Sequence, residues 1–210
     1  MSIALPTFSE LRANYPTMEQ EALMSSIGGG VSSSYIRNTC VIRMSKAFNY
    51  LGAPPIPFDE WVIPSWKQKA KPTNFLEARP PVISAEKLHS IPATYPYINA
   101  FVTTFGQDQK RYCYRVDEFF AYLSHKYKKA DVEMQLEFRQ TMFNQDQLNQ
   151  FRNKIYGKAG IICFKAKFPD DVPGSAPSGH FTLWDGATCA YKDYFIDPRT
   201  YAIYFWGCSV

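Results

Sequence analysis

Asn38-Thr39-Cys40-Val41-Ile42-Arg43-Met44-Ser45-Lys46-Ala47-Phe48-Asn49-Tyr50-Leu51-Gly52 is the stretch on which the reading of this chain turns. Val41, Met44, Phe48 and Leu51 recur at helical spacing. Asn38 is a favoured N-cap and Gly52 a C-terminal stop, so a helix is expected here. Cys40 then falls in the first turn, where unpaired backbone N–H groups and the helix dipole favour a thiolate. A nucleophilic cysteine also needs a base, usually an imidazole brought from elsewhere in the fold.

The chain offers three histidines, 89, 125 and 180. His89 lies in a Pro-rich segment, and His125 reads as solvated, mid-helix among lysines. His180 differs, because Ser178-Gly179 frees the backbone just before a strand on which a ring would be held rigidly. Cysteine on a helix, histidine on a downstream strand, then an acidic or amide orienter is the order of papain-like enzymes. An α+β fold follows, with N-terminal helices and the nucleophile helix packed on an antiparallel sheet.

Upstream, residues 7–24 read as amphipathic helix capped by Thr7. Phe8, Leu11, Leu23 and Met24 supply its apolar face, and Pro16 makes two short pieces as good a reading as one. Ile27 to Ser34, with its glycine triplet, reads as a loop and fits no phosphate-binding pattern. Downstream, nine of the 15 prolines fall between Pro54 and Pro96. Residues 53–107 therefore read as an aromatic-rich insertion on a single domain spanning 1–210. Asp117 to Lys129 carries acids at its start and bases at its end, matching a helix dipole. A Gln- and Asn-rich helix is expected over 133–153, and Ile161-Ile162-Cys163-Phe164 reads as a buried strand. Pro169 to Ser178 reads as a loop. His180 to Trp184, a turn at Asp185-Gly186 and the segment after it form an expected hairpin, and Ala202 to Trp206 a last strand.

Composition excludes several classes. At 210 residues, 46% hydrophobic and 20% charged, the chain is globular and long enough to bury a core without a metal or disulfide lattice. A net charge of +4 without a basic run gives no case for nucleic acid. No apolar stretch approaches the ~18–20 residues of a membrane span, so no membrane insertion is expected. The start, MSIALPTFSELRANYP, lacks the basic and apolar regions of a Sec signal peptide. Five cysteines at 40, 113, 163, 189 and 208 form no C-x-x-C pair, and no metal or organic cofactor is expected. An odd number leaves at least one thiol unpaired within the monomer.

Asn38-x-Cys40-x-Ile42-Arg43-Met44-Ser45, followed by Gly179-His180-x-Thr182-Leu183-Trp184-Asp185-Gly186, resembles the type VI secretion amidase effectors of family four. Ile27-Gly28-Gly29, Tyr112 to Leu123 and Gly157 to Ile162 are similar too. The resemblance implies a compact NlpC-like amidase, made without a Sec signal and passed by the type VI secretion apparatus into competing Gram-negative cells. There it would act in the periplasm, cutting the γ-D-glutamyl–meso-diaminopimelate bond of peptidoglycan stem peptides, and a cognate immunity protein would block it. Cys40 is then the nucleophile and His180 the general base, with the Cys40 N–H a donor to the tetrahedral oxyanion. Cys-His-Asp acyltransferases share this chemistry, and a catalytically idle wall-binding protein could share the scaffold.

The third member departs from that pattern. The family has an aspartate two residues after the cysteine that follows the hairpin, often with a second cysteine two further on. Here Tyr191 and Asp193 stand there, after Cys189. A two-residue turn would set Tyr191 opposite His180. A four-residue loop, Asp185 to Thr188, would set Asp193 there, with Cβ atoms ~4.5–5.5 Å apart. Asp193 is the expected orienter and Asp197 the reserve, while Asp185 reads as a turn residue. Cys189 is either free or paired with Cys208 or Cys163. Trp184, Trp61 and Trp66 are the candidates for lining a substrate groove, against a core or covering role for each.

Overall fold

The computed structural model describes residues 4–33, 36–51, 103–168 and 178–210, apart from the His125 side chain. Two short helices open it, α1 (Phe8–Asn14) and α2 (Gln20–Ile27). The Thr7 hydroxyl accepts from the Glu10 N–H at 3.2 Å while the Glu10 carboxylate accepts from the Thr7 N–H at 2.8 Å, a reciprocal cap. Pro16 follows in the break between the helices, so the two-piece reading is the observed one. The glycine triplet is not simply loop: Gly29–Ser32 forms a 3-10 turn whose Val31 is buried.

Helix α3 (Cys40–Asn49) is buried at Cys40 through Ser45 and again at Ala47 and Phe48. It ends before the expected Gly52, with Tyr50 at the C-cap. Two of its polar side chains are bonded to a neighbouring strand. Ser45 Oγ accepts from the Cys113 N–H at 3.0 Å, and Asn49 donates to the Arg111 carbonyl at 2.5 Å. Both partners belong to β2 (Arg111–Cys113), which pairs antiparallel with β1 (Thr103–Phe105). Thr103 to Gln107, read above as the end of an insertion, thus belong to a hairpin and its turn. Residues 53–102, with Trp61, Trp66 and His89, lie outside the described residues.

Helix α4 (Val116–Lys126) leads to a four-stranded antiparallel sheet in the order β3-β6-β4-β5. The strands are β3 (Val132–Gln135), β4 (Gly160–Ala166), β5 (Gly179–Trp184) and β6 (Thr200–Gly207), with α5 (Gln145–Ile155) after β3. Alternation divides the core. Ile161, Cys163, Phe181, Leu183 and Trp206 pack with α3 and α4. Ile162, Phe164, Trp184, Ile203 and Phe205 pack with Leu148, Phe151 and Ile155 of α5. At the edge of the sheet, β5 holds His180 opposite Phe164 of β4.

Two expectations are corrected here. The polar helix read over 133–153 is a strand followed by a shorter helix. Val132-Glu133-Met134-Gln135 alternates half-buried and exposed against β6, which is strand periodicity, and Asn144 caps the helix that begins at Gln145. The segment after β5 forms no second strand. Trp184 bridges Cys189 across a four-residue loop, and the Asp185 carboxylate accepts from the Ala187 and Thr188 N–H groups at 2.9 and 2.7 Å, as a turn residue does.

Candidate active site

Cys40 is the first residue of α3 and is 2% exposed. Thr39 takes the geometric cap position, but the capping bond comes from one residue earlier: Asn38 Oδ1 accepts from the Cys40 N–H at 3.0 Å. The N–H expected to face an oxyanion is therefore engaged in the structure as it stands. The thiol also differs from the expectation drawn from its helix position. Burial pushes it up to about 11, and hydrogen bonds from the Phe181 and Val41 N–H groups and from Asn38 offset that only in part. Here burial outweighs the helix start.

His180 follows Gly179, where a Cβ would run into the Phe164 carbonyl oxygen, so only glycine lets β5 pack this closely on β4. The ring is 4% exposed and tilts over Tyr194 at a centroid distance of 4.9 Å. Its Nε2 lies 3.0 Å from the Tyr191 main-chain oxygen. Burial lowers its pKa to about 4; the Tyr191 carbonyl opposes the shift, and the cations Lys192 and Arg43 add to it. With these shifts the Cys40 thiol and the His180 imidazole are both neutral at neutral pH.

Cys40 and His180 share one groove of about 200 Å³, and Asn38, Arg37, Lys192 and Tyr194 also line it. Asp193 and Asp197 are not brought to the ring. Asp193 accepts from the Phe195 N–H at 3.4 Å and lines a neighbouring cavity with Arg152 and Cys189, while Asp197 pairs with Arg199. The register is the four-residue one, which on its own would set residue 193 opposite 180. Lys192, however, takes a positive φ of 43° and turns the chain away after Tyr191. Trp184 is 4% exposed, donates to the Ile155 carbonyl at 3.2 Å and lines that neighbouring cavity, so it is a core residue and not a groove wall. None of the five cysteines is in a disulfide, Cys189 included.

Three contributors were missed in the sequence. Asn38, read as a cap alone, also donates through Nδ2 to the Gly179 carbonyl at 3.2 Å, tying the start of the Cys40 helix to the His180 strand. Thr182 accepts from the Tyr191 N–H at 3.1 Å. Tyr191 supplies the carbonyl facing His180. Only the G-H-x-T spacing hinted at Thr182, since threonine two residues from the histidine shares its face of the strand. Among the described residues, no three His, Cys, Asp or Glu side chains are grouped as a metal site, and no helix is long and apolar enough to cross a membrane.

The family model for type VI secretion system (T6SS) amidase effector protein 4 (Tae4) matches residues 36–206. The type VI effector Tae4 from Enterobacter cloacae is similar in structure, with a TM-score of 0.63 and 24% identity over 100% of both chains. The effector–immunity complex Tae4–Tai4 from Enterobacter cloacae gives 0.61 at 22% identity, over 98% of this chain and 99% of that one. The corresponding complex from Salmonella Typhimurium gives 0.57 at 23%, over 97% and 98%. At such identities the likeness shows the fold, which is the α+β, papain-like NlpC type expected. No curated protein matches the chain.

Proposed function

The chain belongs to the family of type VI secretion amidase effectors 4, and from that premise we propose that it is an antibacterial peptidoglycan amidase using Cys40 and His180. The bond proposed is γ-D-glutamyl–meso-diaminopimelate in the stem peptide. The observation that carries this reading is the common groove of Cys40 and His180. Two cations, Arg37 and Lys192, line it and no Asp or Glu does among the described residues, which suits a substrate carrying carboxylates beside the scissile amide.

In the proposed reaction His180 takes the thiol proton as Cys40 attacks the glutamyl carbonyl. The tetrahedral intermediate collapses to a thioester, and the imidazolium gives its proton to the departing amine. Water, deprotonated by the same imidazole, then releases the acid. No metal or organic cofactor enters this scheme. The whole chain is read as a single catalytic domain. Its partners would be the stem peptide, the type VI apparatus and an immunity protein, as Tae4 is bound by Tai4 in the similar structures.

One observation favours a second reading. Among the described residues no carboxylate is hydrogen-bonded to His180, which would suit a catalytically idle wall-binding protein. Expression directed to the periplasm separates the two. The amidase reading predicts lysis there, little harm in the cytoplasm, and loss of toxicity in Cys40→Ala. Equal toxicity of Cys40→Ala would overturn it.

A further inference from the structure

His180 Nε2 faces a main-chain oxygen, and a carbonyl can only accept. The Nε2 must therefore carry the ring proton, which leaves the Nδ1 lone pair as the basic site. The carbonyl itself is firmly held. The Ala190 N–H donates to the Leu183 carbonyl at 2.8 Å and the Tyr191 N–H to Thr182 Oγ1 at 3.1 Å, pinning residues 190–191 along β5. The Tyr191 ring is held as well. The Arg43 guanidinium lies over it, with Cζ 3.8 Å from the ring centroid. Arg43 is wholly buried; its Nη1 donates to the Pro16 carbonyl at 2.8 Å, while its Nε and Nη2 have no hydrogen-bond partner. A buried guanidinium so placed has the aromatic face as its main compensation, and the two groups fix each other. Beyond Tyr191 the chain turns away at Lys192, taking Asp193 with it.

We propose that Tyr191 is the positioning residue of this site. Its main-chain carbonyl does for His180 what a carboxylate does in a Cys-His-Asp triad, and its ring, clamped by Arg43 from the nucleophile helix, sets the place of that carbonyl. The inference rests on the reading of Cys40 and His180 as the reacting pair. When Cys40 attacks, its proton passes to Nδ1 while the Nε2 N–H keeps its proton and goes on donating to the carbonyl, so the imidazolium is held by a dipole and not by a charge. The charged and titratable groups around the ring are Cys40 and Arg43 of α3, Arg37 before it, and Tyr191, Lys192 and Tyr194 after β5.

The test is 15N NMR of the His180 ring in the full-length wild-type protein, with its signals assigned by their loss in His180→Gln. The expected result at neutral pH is a neutral ring protonated at Nε2, unchanged in Asp193→Asn and Asp197→Asn. Kinetics give a second reading. Asp193→Asn should keep kcat within about threefold, whereas losing a true triad carboxylate costs up to about 10⁴. Tyr191→Ala should lower kcat at least tenfold with little change in KM, and Tyr191→Phe should recover most of that loss. A proton on Nδ1, a charged ring that loses its charge in Asp193→Asn, or a hundredfold fall in kcat for Asp193→Asn would overturn the proposal. The NMR result stands apart from turnover: a wild type that cuts no substrate refutes the amidase reading, while the ring tautomer still decides the carbonyl bond.

Discussion

Asn38 Nδ2 donates to the Gly179 carbonyl at 3.2 Å, and through this bond the segment that starts the Cys40 helix is fastened to the strand that carries His180. The same side chain accepts from the Cys40 N–H at 3.0 Å. One amide thus sets both the sulfur and the start of β5. The spacing of Cys40 and His180 depends on an asparagine that makes no chemistry of its own.

Asn38→Ala should therefore lower stability by about 1–2 kcal/mol, the usual cost of a lost cap with a lost hydrogen bond. It should also reduce kcat by at least about tenfold through misplacement of the pair. Asn38→Asp keeps the acceptor for the Cys40 N–H and loses the donor to Gly179, so it should restore stability better than turnover. Thermal unfolding and steady-state kinetics on the two variants check this. Recovery of kcat in Asn38→Asp would contradict it.

The buried His180 makes stability depend on pH. Its folded pKa, about 4, lies below the ordinary 6.5, so between these values the unfolded chain takes up a proton that the native ring refuses. The stability is full above about pH 6.5 and is lost as pH falls toward about 4, by up to about 3 kcal/mol. Urea unfolding at about pH 7 and about pH 4.5 measures the difference. His180→Gln should lose less stability over that interval than wild type, and an unchanged slope would contradict the assignment.

Thiol chemistry gives an independent check. Burial holds Cys40 near 11 and Cys208 near 12, and pushes Cys163 and Cys189 higher still. Alkylation of Cys40 by iodoacetamide should thus be slow at neutral pH and rise through the alkaline range. It should lack the acid-side plateau of a thiolate–imidazolium pair. Cleavage, in which His180 takes the proton only as attack occurs, should stay level through neutral pH and fall only as the ring protonates near 4.

The basic rim predicts a charge effect. Lys192→Glu replaces attraction with repulsion in the groove and should raise KM for a stem peptide by about tenfold, the size of one partly screened charge contact. Amidating the substrate carboxylates should shrink that difference. An equal KM for both substrates in wild type and variant would contradict a carboxylate-binding role.

What was legible in the sequence was what local pattern controls. The α3 and β4 segments carry apolar residues dense enough to declare their burial, and Ser178-Gly179 marked the start of the strand that holds His180. What stayed hidden is set by distant chain. Val132-Glu133-Met134-Gln135 becomes a strand only by pairing with β6, and polar composition alone made it look helical. The Cys40 thiol is raised by packing from residues far along the chain, against the local helix start. The expected His180–Asp193 pair fails at Lys192, where a positive φ of 43° is carried by a residue type that gives no warning of it. A main-chain carbonyl, moreover, leaves no mark in a sequence at all.

The most direct test of the central claim is digestion of Gram-negative sacculi by the purified chain, with mass analysis of the released muropeptides. The account predicts that a new diaminopimelate amine and a new D-glutamate γ-carboxyl appear together with wild type, and that neither appears with Cys40→Ala. An intact γ-D-glutamyl–diaminopimelate bond after wild-type treatment, or equal cleavage by Cys40→Ala, would contradict it.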